Sequence, residues 1–220
     1  MSEVMTTGRA WLTDRKGWVV QTTRPDIPNL SDDVMVIWQD NRHITPEQRR
    51  KAWALMTEIA AFQGQDKEDT YAEQRSAFTL KHLETLQDGL FHLSAATVTT
   101  ARAFITMLVE IIIEYGIPTK EPLYGLCDDI ERYVYACLMN KKCAVCGKKA
   151  EIHHCEGSTV GMGRNRKTMV HLGLELMPLC REHHRECHDN GQTAFNSKYH
   201  LIGIPADEKI CKKAGLKYAD

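Results

Sequence analysis

The chain has 220 residues, of which 43% are hydrophobic and 26% are charged, so we expect a packed core rather than disorder. The longest apolar stretch, near residues 105–113, is interrupted by Thr106 and Glu110 and is far shorter than the roughly 20 residues that cross a membrane. The N-terminus also lacks the apolar segment of a signal peptide. We therefore expect a cytoplasmic protein with no membrane contact, whose eight cysteines are reduced and available to metals.

The net charge of −1 conceals an asymmetry between the two parts of the chain. Residues 1–140 hold 14 Lys and Arg against 20 Asp and Glu, which gives −6. Residues 141–220 hold 14 against 9, which gives +5. The positive part also contains most of the histidines, so a polyanionic partner is expected there, although a solvated basic surface would have the same charge.

Strand and helix patterns follow one another along the first 140 residues. Residues 18–22 alternate in polarity, and residues 34–38 form a short apolar run, so both are predicted strands. A helix is predicted from Thr45, where a T-x-x-Q capping box is followed by Pro at the first helical position, to Gly64. Three further helices are predicted, at residues 67–84, 99–115 and 128–139. Because no long linker follows, we place two closely packed domains at residues 1–140 and 141–220.

After residue 140 the chain becomes rich in cysteine and histidine. Two short strands are predicted at residues 151–155 and 172–177, a helix from about residues 179–180 to 191, and another at residues 193–199. Before and after the strands lie a C-x2-C and a C-x2-H pair. Together they supply the four ligands of a closed structural zinc site: Cys143, Cys146, Cys180 and His183.

Four histidines remain unused by this assignment: His153, His154, His184 and His188. His184 and His188 are four residues apart on the predicted helix, so both side chains lie on one face. His153 and His154 are adjacent on a predicted strand, where flat geometry would direct them to opposite faces. For both to reach one phosphate, the strand must twist or bulge at this point. A catalytic metal is the simplest explanation for four histidines beside a zinc site.

Residues 143–188 resemble the ββα-metal motif of HNH endonucleases in its zinc-stabilised form: strand, glycine-containing loop, strand and helix, with a zinc knuckle at each end. The resemblance implies that His153, His184 and His188 hold one divalent ion (Mg²⁺, Mn²⁺, Ni²⁺ or Zn²⁺) and that His154 is the general base. A neutral imidazole with a pKa near ~6.5 can accept a proton from water, and a cation can stabilise charge on the phosphate and the leaving oxygen. The expected products carry 5′-phosphate and 3′-hydroxyl ends.

One position departs from the HNH pattern. The family usually has Asn at the start of the second strand, five residues before the second knuckle, where this chain has Glu175. Asn165 in the preceding loop is a candidate to brace the loop instead, which leaves Glu175 as either a neighbour of the metal or an exposed strand residue. His171 is either an accessory ligand or a loop residue.

Basic residues in both parts of the chain are candidates for DNA contact. A glycine-rich loop offers cations and backbone amides to phosphates, through Arg164, Arg166 and Lys167. Residues 37–42 (IWQDNR) and 45–53 (TPEQRRKAW) resemble the NinB/Orf recombination-mediator family, and the resemblance extends over residues 34–116. It implies single-stranded DNA binding, with Arg42 and Arg49 among the contacts, a homodimer, and host single-strand-binding protein as a partner. The −6 charge of this half favours protein contact over a broad DNA surface.

The whole chain is similar to HNH nucleases of phage and prophage recombination regions, which implies the cytoplasm of a bacterial host. We predict an α+β protein in which a NinB-like domain of β-strands and helices precedes a small, zinc-stabilised ββα-metal domain. The predicted function is metal-dependent hydrolysis of DNA, including single-stranded or branched DNA, in phage recombination or replication. The alternative is a non-catalytic, zinc-containing recombination mediator that binds single-stranded DNA.

Overall fold

The computed structural model describes residues 8–12, 18–22, 42–82, 90–158 and 169–219. The chain divides into two compact units, Met1–Gln39 and Asp40–Asp220. In the first unit, β1 (Gly8–Leu12) and β2 (Trp18–Thr22) pair in antiparallel fashion, with Gly8 opposite Thr22. The strand predicted at residues 18–22 is thus confirmed, whereas the one predicted at residues 34–38 lies outside the described residues.

The second unit has the predicted α+β character, with helices around a small antiparallel sheet. Its helices before the sheet are α1 (Pro46–Gln63), α2 (Lys67–Lys81), a 3₁₀ turn (Leu93–Ala95), α3 (Val98–Tyr115), α4 (Leu123–Leu126) and α5 (Ile130–Asn140). The remaining elements are β3 (Glu151–His154), β4 (Glu175–Leu179), α6 (Arg181–Asn190), α7 (Gln192–Tyr199), β5 (Ile204–Pro205) and α8 (Glu208–Ala214). Within the described residues, no helix is long and apolar enough to cross a membrane.

Helix α1 begins and ends at the residues that its sequence signals predict. Thr45 Oγ1 accepts a hydrogen bond from the Gln48 backbone N–H at 3.1 Å, and Gln48 Oε1 accepts one from the Thr45 N–H at 3.3 Å. This reciprocal pair is a capping box and satisfies two N–H groups that the helix cannot. Gly64 ends the helix in the left-handed conformation, with φ 70°.

The helical core forms around α3. Gln48 Nε2 donates to the backbone carbonyl of Val98 at 3.1 Å, and Ile44 N donates to the carbonyl of Ala96 at 2.9 Å, so α1 and α3 begin side by side. Eight residues of α3 are buried, so this helix is covered on more than one side: Ala101, Phe104, Ile105, Met107, Leu108, Val109, Ile112 and Ile113. Burial of this apolar surface is the main stabilising contribution to the helical part.

Helix α5 connects the helical core to the metal-rich part of the chain. The Tyr133 hydroxyl donates to the backbone carbonyl of Ala144 at 2.7 Å, and Ala144 N donates to the carbonyl of Pro178 in β4 at 3.0 Å. Helix α5 also packs against β4, β5 and α8. Residues on both sides of position 140 therefore share one hydrophobic core, and the functional division at residues 140/141 stays a prediction.

The three-stranded sheet has the order β3-β4-β5, with both pairs antiparallel. In the β3–β4 pair, Glu151 lies opposite Leu179 and His154 opposite Leu176, with no extra residue on either strand. The bulge considered from the sequence is therefore absent from this pairing. Because the register is regular, His153 and His154 lie on opposite faces of β3.

Candidate metal centres and active site

The ends of the ββα segment bring three thiols and one imidazole together. The loop after α5 provides Cys143 and Cys146, whereas Cys180 and His183 lie at the start of α6. The four ligand atoms lie within 4.8 Å of one another. Cys143 and Cys180 are buried, His183 is half-buried and Cys146 is exposed at the rim.

The spacing of these atoms suits a tetrahedral zinc ion. Zn–S bonds of about 2.3 Å and Zn–N bonds of about 2.0–2.1 Å place two sulfurs about 3.8 Å apart, and a sulfur and a nitrogen about 3.5 Å apart. Cys146 Sγ and Cys180 Sγ are 3.7 Å apart, and His183 Nδ1 lies 3.5 Å from Cys143 Sγ and 3.2 Å from Cys180 Sγ. The cluster can therefore hold a structural zinc.

The first turn of α6 favours the thiolate that zinc requires. Burial opposes ionisation of the Cys180 thiol, but backbone N–H groups at His183 and Glu182 and the neighbouring thiols together lower the pKa of Cys180. A helix N-terminus favours negative charge for the same reason, because its first N–H groups have no partner within the helix. This is the chemistry of a structural metal ligand.

A second cluster lies beside the first and contains only histidines. His153 comes from β3, and His184 and His188 come from successive turns of α6. Their ring centroids are 4.9 Å apart for His153 and His184, 5.1 Å for His153 and His188, and 4.9 Å for His184 and His188. His153 is buried, His184 half-buried and His188 exposed, so the cluster opens toward solvent on one side.

This triangle has the size of a three-histidine metal site. With metal–nitrogen bonds of about 2.0–2.1 Å, ring centroids lie about 3.2 Å from the ion, or about 4.5–5.2 Å from one another at octahedral or tetrahedral angles. The three observed separations fall in that interval. In addition, His153 Nδ1 is buried with no hydrogen-bond partner among the described residues, a state that a metal ion would relieve. Three protein ligands and an open side are typical of catalytic metal sites.

The surroundings of His153 keep its imidazole neutral. Burial lowers the pKa of His153 to about 4, and the neighbouring His184, His188 and His154 contribute in the same direction, while a hydrogen bond to Gln192 acts in the opposite direction. His153 Nε2 lies 3.4 Å from Gln192 Oε1 and 3.6 Å from Cys187 Sγ. A neutral imidazole is the form that binds a metal.

His184 has a carboxylate beside its ring. Glu151 at the start of β3 places Oε2 at 3.6 Å from His184 Nδ1. Metal-bound histidines commonly direct their second nitrogen to a carboxylate, which orients the ring and increases its basicity. Gln192 and Glu151 are functional candidates that spacing alone did not reveal, because neither belongs to a ligand pattern.

His154 lies on the other face of β3 and is half-buried. Its ring centroid is 5.3 Å from that of His171, which is fully buried and has Nδ1 at 3.4 Å from the backbone carbonyl of Lys217. His171 therefore lies in the interior beside His154, and it is outside both ligand clusters of the described residues.

The remaining predicted site residues are placed as follows. Glu175 is exposed at the start of β4, where its backbone N–H donates to Ser158 Oγ at 2.9 Å, and it belongs to neither described ligand cluster. Arg42 and Arg49 are exposed in the helical part. The loop residues Asn165, Arg164, Arg166 and Lys167 lie outside the described residues.

Comparison with protein-family models identifies the family to which the chain belongs. The family model described as "Putative HNHc nuclease" matches residues 23–217. The chain belongs to the HNHc nuclease family. The match extends over the helical part as well as both ligand clusters, so the family relationship covers nearly the whole chain. Searches of curated proteins and of solved structures found no significant match.

Membership of the HNHc family indicates a metal-dependent nuclease with a nucleic acid as substrate. The two ligand clusters provide one closed and one open site for metal ions, in keeping with that class.

Proposed function

We propose that the protein is a metal-dependent HNH endonuclease that hydrolyses phosphodiester bonds of DNA. The observation that carries the proposal is the open triangle of His153, His184 and His188, next to a closed Cys₃His cluster at the start of α6. Family membership gives the reaction class, and the two clusters give the protein the sites that such a reaction needs. A zinc-binding module without catalysis would need only the closed cluster.

In this proposal, His153, His184 and His188 hold one divalent ion, which can be Mg²⁺, Mn²⁺, Ni²⁺ or Zn²⁺. When bound, the ion supplies positive charge to the scissile phosphate and to the leaving 3′ oxygen. The exposure of His188 leaves the open side accessible to a phosphate group of DNA. Cys143, Cys146, Cys180 and His183 hold the structural zinc.

His154 is proposed as the general base that accepts the proton of the attacking water. His154 directly follows His153 in β3, so one peptide unit connects the proposed base to a proposed metal ligand. The face of β3 that His154 occupies is opposite that of His153, so the substrate must approach around the end of the strand. Its ring is half-buried, with its centroid 5.3 Å from that of His171.

The test is cleavage of plasmid, single-stranded and branched DNA by purified protein with Mg²⁺, Mn²⁺ or Ni²⁺. The variant His154→Ala should lose cleavage by about 10²–10⁴-fold while it keeps its fold and its affinity for DNA. His92→Ala, which removes an exposed histidine of the helical part, is the matched control and should cleave normally. Unchanged cleavage by His154→Ala would exclude it as the base, and inactivity of the wild type with every metal would favour the non-catalytic mediator.

We further propose a role in phage recombination or replication, in the cytoplasm of the bacterial host. The helical part, with Arg42 and Arg49, would bind single-stranded DNA or host single-strand-binding protein and act as a homodimer. Arg164, Arg166 and Lys167 would contact the phosphate backbone near the nuclease site. Pull-down of purified single-strand-binding protein, with chromatography for the oligomeric state, tests this part separately from cleavage.

A further inference from the structure

Gln192 is the first residue of α7, and its side chain contacts residues around the histidine cluster. It is buried, with 9% of its surface exposed. Its Oε1 accepts a hydrogen bond from the Glu156 backbone N–H at 2.8 Å and lies 3.4 Å from His153 Nε2. One amide thus joins the chain just after β3 to a proposed metal ligand.

The contact with Glu156 fixes which end of the amide faces His153. A backbone N–H can only donate, so the Gln192 atom at 2.8 Å must be the oxygen. The same oxygen faces His153 Nε2, and an oxygen with two lone pairs can accept a second hydrogen bond. If Nε2 carried a lone pair, two acceptors would face each other in a buried site, which is unfavourable. His153 Nε2 therefore carries the proton.

This protonation state determines the chemistry of the other ring nitrogen. A neutral imidazole has one N–H, so when Nε2 carries it, Nδ1 has the free lone pair. His153 Nδ1 is the buried atom that has no hydrogen-bond partner among the described residues. The sulfur of Cys187, 3.6 Å from Nε2, is a weak acceptor and is compatible with the same tautomer.

We propose that Gln192 is a positioning residue that holds His153 in its Nε2–H tautomer, so that Nδ1 is the atom that binds the divalent ion. The inference rests on the proposed function only in that this ion is the one the nuclease uses. It assigns to Gln192 the task that a carboxylate or carbonyl performs in many metal sites, namely to orient a ligand and set its tautomer.

The first experiment reads the tautomer directly. Long-range ¹H–¹⁵N correlation spectra, recorded on zinc-loaded protein without a second ion at neutral pH, distinguish the two neutral tautomers of His153. The wild type and Gln192→Glu, whose carboxylate can accept the same two hydrogen bonds, should both show protonated Nε2. Gln192→Leu, which has no acceptor, should show a mixture. Protonated Nδ1 in the wild type would overturn the proposal, whatever the variants do.

The second experiment measures the affinity of the site for Ni²⁺ by calorimetric titration of the same proteins. Gln192→Leu should bind Ni²⁺ about 10–100-fold more weakly, and Gln192→Glu should restore binding. Cys187→Ala is the control for the other neighbour of Nε2 and should bind like the wild type. If folded Gln192→Leu binds within about twofold of the wild type, Gln192 does not position the ligand. If that variant fails to fold, protonated Nδ1 in the wild type would still overturn the proposal, and protonated Nε2 in both the wild type and Gln192→Glu would support it.

These readouts are independent of cleavage. A protein with protonated Nε2 and tight Ni²⁺ binding but no nuclease activity would refute the proposed function and leave the role of Gln192 intact. An active nuclease in which His153 Nδ1 carries the proton would support the proposed function and refute the role of Gln192.

Discussion

Gly203, just before β5, is packed against the end of β3 so closely that it admits no side chain. A Cβ at this position would overlap Cys155 Sγ and lie 3.2 Å from Cys155 Cβ. Cys155 is fully buried, so its side chain has little room to move away from a methyl group at position 203. The backbone of Gly203 is not in the left-handed region, and any cost of Gly203→Ala is therefore steric.

The steric cost of Gly203→Ala can be estimated, and a double-mutant cycle with Cys155→Ala separates it from other effects. Overpacking a buried site by one methyl group costs about 1–3 kcal/mol of unfolding free energy. Cys155→Ala alone, which removes the overlapping sulfur, should cost on the order of 1 kcal/mol. In the double variant the methyl group introduced at position 203 takes the place of the sulfur, so the total cost should be close to that of Cys155→Ala alone. The coupling free energy between the two sites should thus be about 1–3 kcal/mol.

Urea unfolding of the zinc-loaded proteins, followed by far-UV circular dichroism, measures the four free energies of this cycle. Gly203→Ala should unfold at lower urea with an unchanged slope. Two results would refute the reasoning. One is a Gly203→Ala protein within about 0.5 kcal/mol of the wild type, and the other is a double variant whose cost is the sum of the two single costs.

Three other predictions concern the metal centres. Cys143→Ser should release the structural zinc and disorder the ββα segment, as read by chelator-detected zinc and circular dichroism, whereas Cys127→Ser, outside both described clusters, should not. Because burial lowers the pKa of His153 from 6.5 to about 4, the unfolded chain binds the extra proton between these values, and stability is lost as the pH falls through this window. Without the second ion, urea unfolding should show a loss of about 1–2 kcal/mol near pH ~5 that is absent in His153→Gln. Glu151→Gln should weaken Mn²⁺ binding, measured by calorimetry, by less than about tenfold, because this carboxylate is exposed; an unchanged affinity would mean that Glu151 does not orient His184.

Local signals in the sequence predicted the long helices well. The capping box at Thr45 and the glycine at Gly64 placed both ends of α1 within a residue, and Gly116, with φ 64°, ends α3 where predicted. Helix α2 begins at Lys67 as predicted and ends at Lys81, before the predicted end at residue 84. These boundaries depend on contacts within one or two turns, which a sequence pattern contains.

Elements that depend on distant pairing were predicted less well. The second strand of the sheet was placed at residues 172–177, but β4 runs from Glu175 to Leu179, and Leu172 is exposed in a turn. The register is set by partners in β3 and β5, since Leu176 lies opposite both His154 and Ile204. Strand β5, with two residues, and helix α8 have no periodicity long enough to reveal them.

The same distinction applies to the candidate site. Spacing identified the Cys₃His set and left four histidines, among which the HNH resemblance selected His153, His184 and His188 as ligands; the fold brings together the same two sets. Gln192 could not be found in this way, because its contact with Glu156 joins residues 36 positions apart. The fully buried position of His171 likewise arises from packing against the C-terminal segment, whose Lys217 carbonyl accepts its backbone N–H at 2.8 Å.

Helix α6 carries residues of both candidate ligand clusters, and under the proposed function this links the two metal ions to each other. His183 and His184 are consecutive residues, yet one belongs to each cluster. Zinc at the first turn therefore fixes the rotation of α6 about its axis, and with it the direction of His184 and His188. Occupancy of the two sites is then thermodynamically linked, so each ion raises the affinity for the other by the same factor. If the proposed function holds, a newly made chain that has not yet bound zinc should hold the second ion poorly, and the supply of zinc would set how much of the protein can cleave DNA.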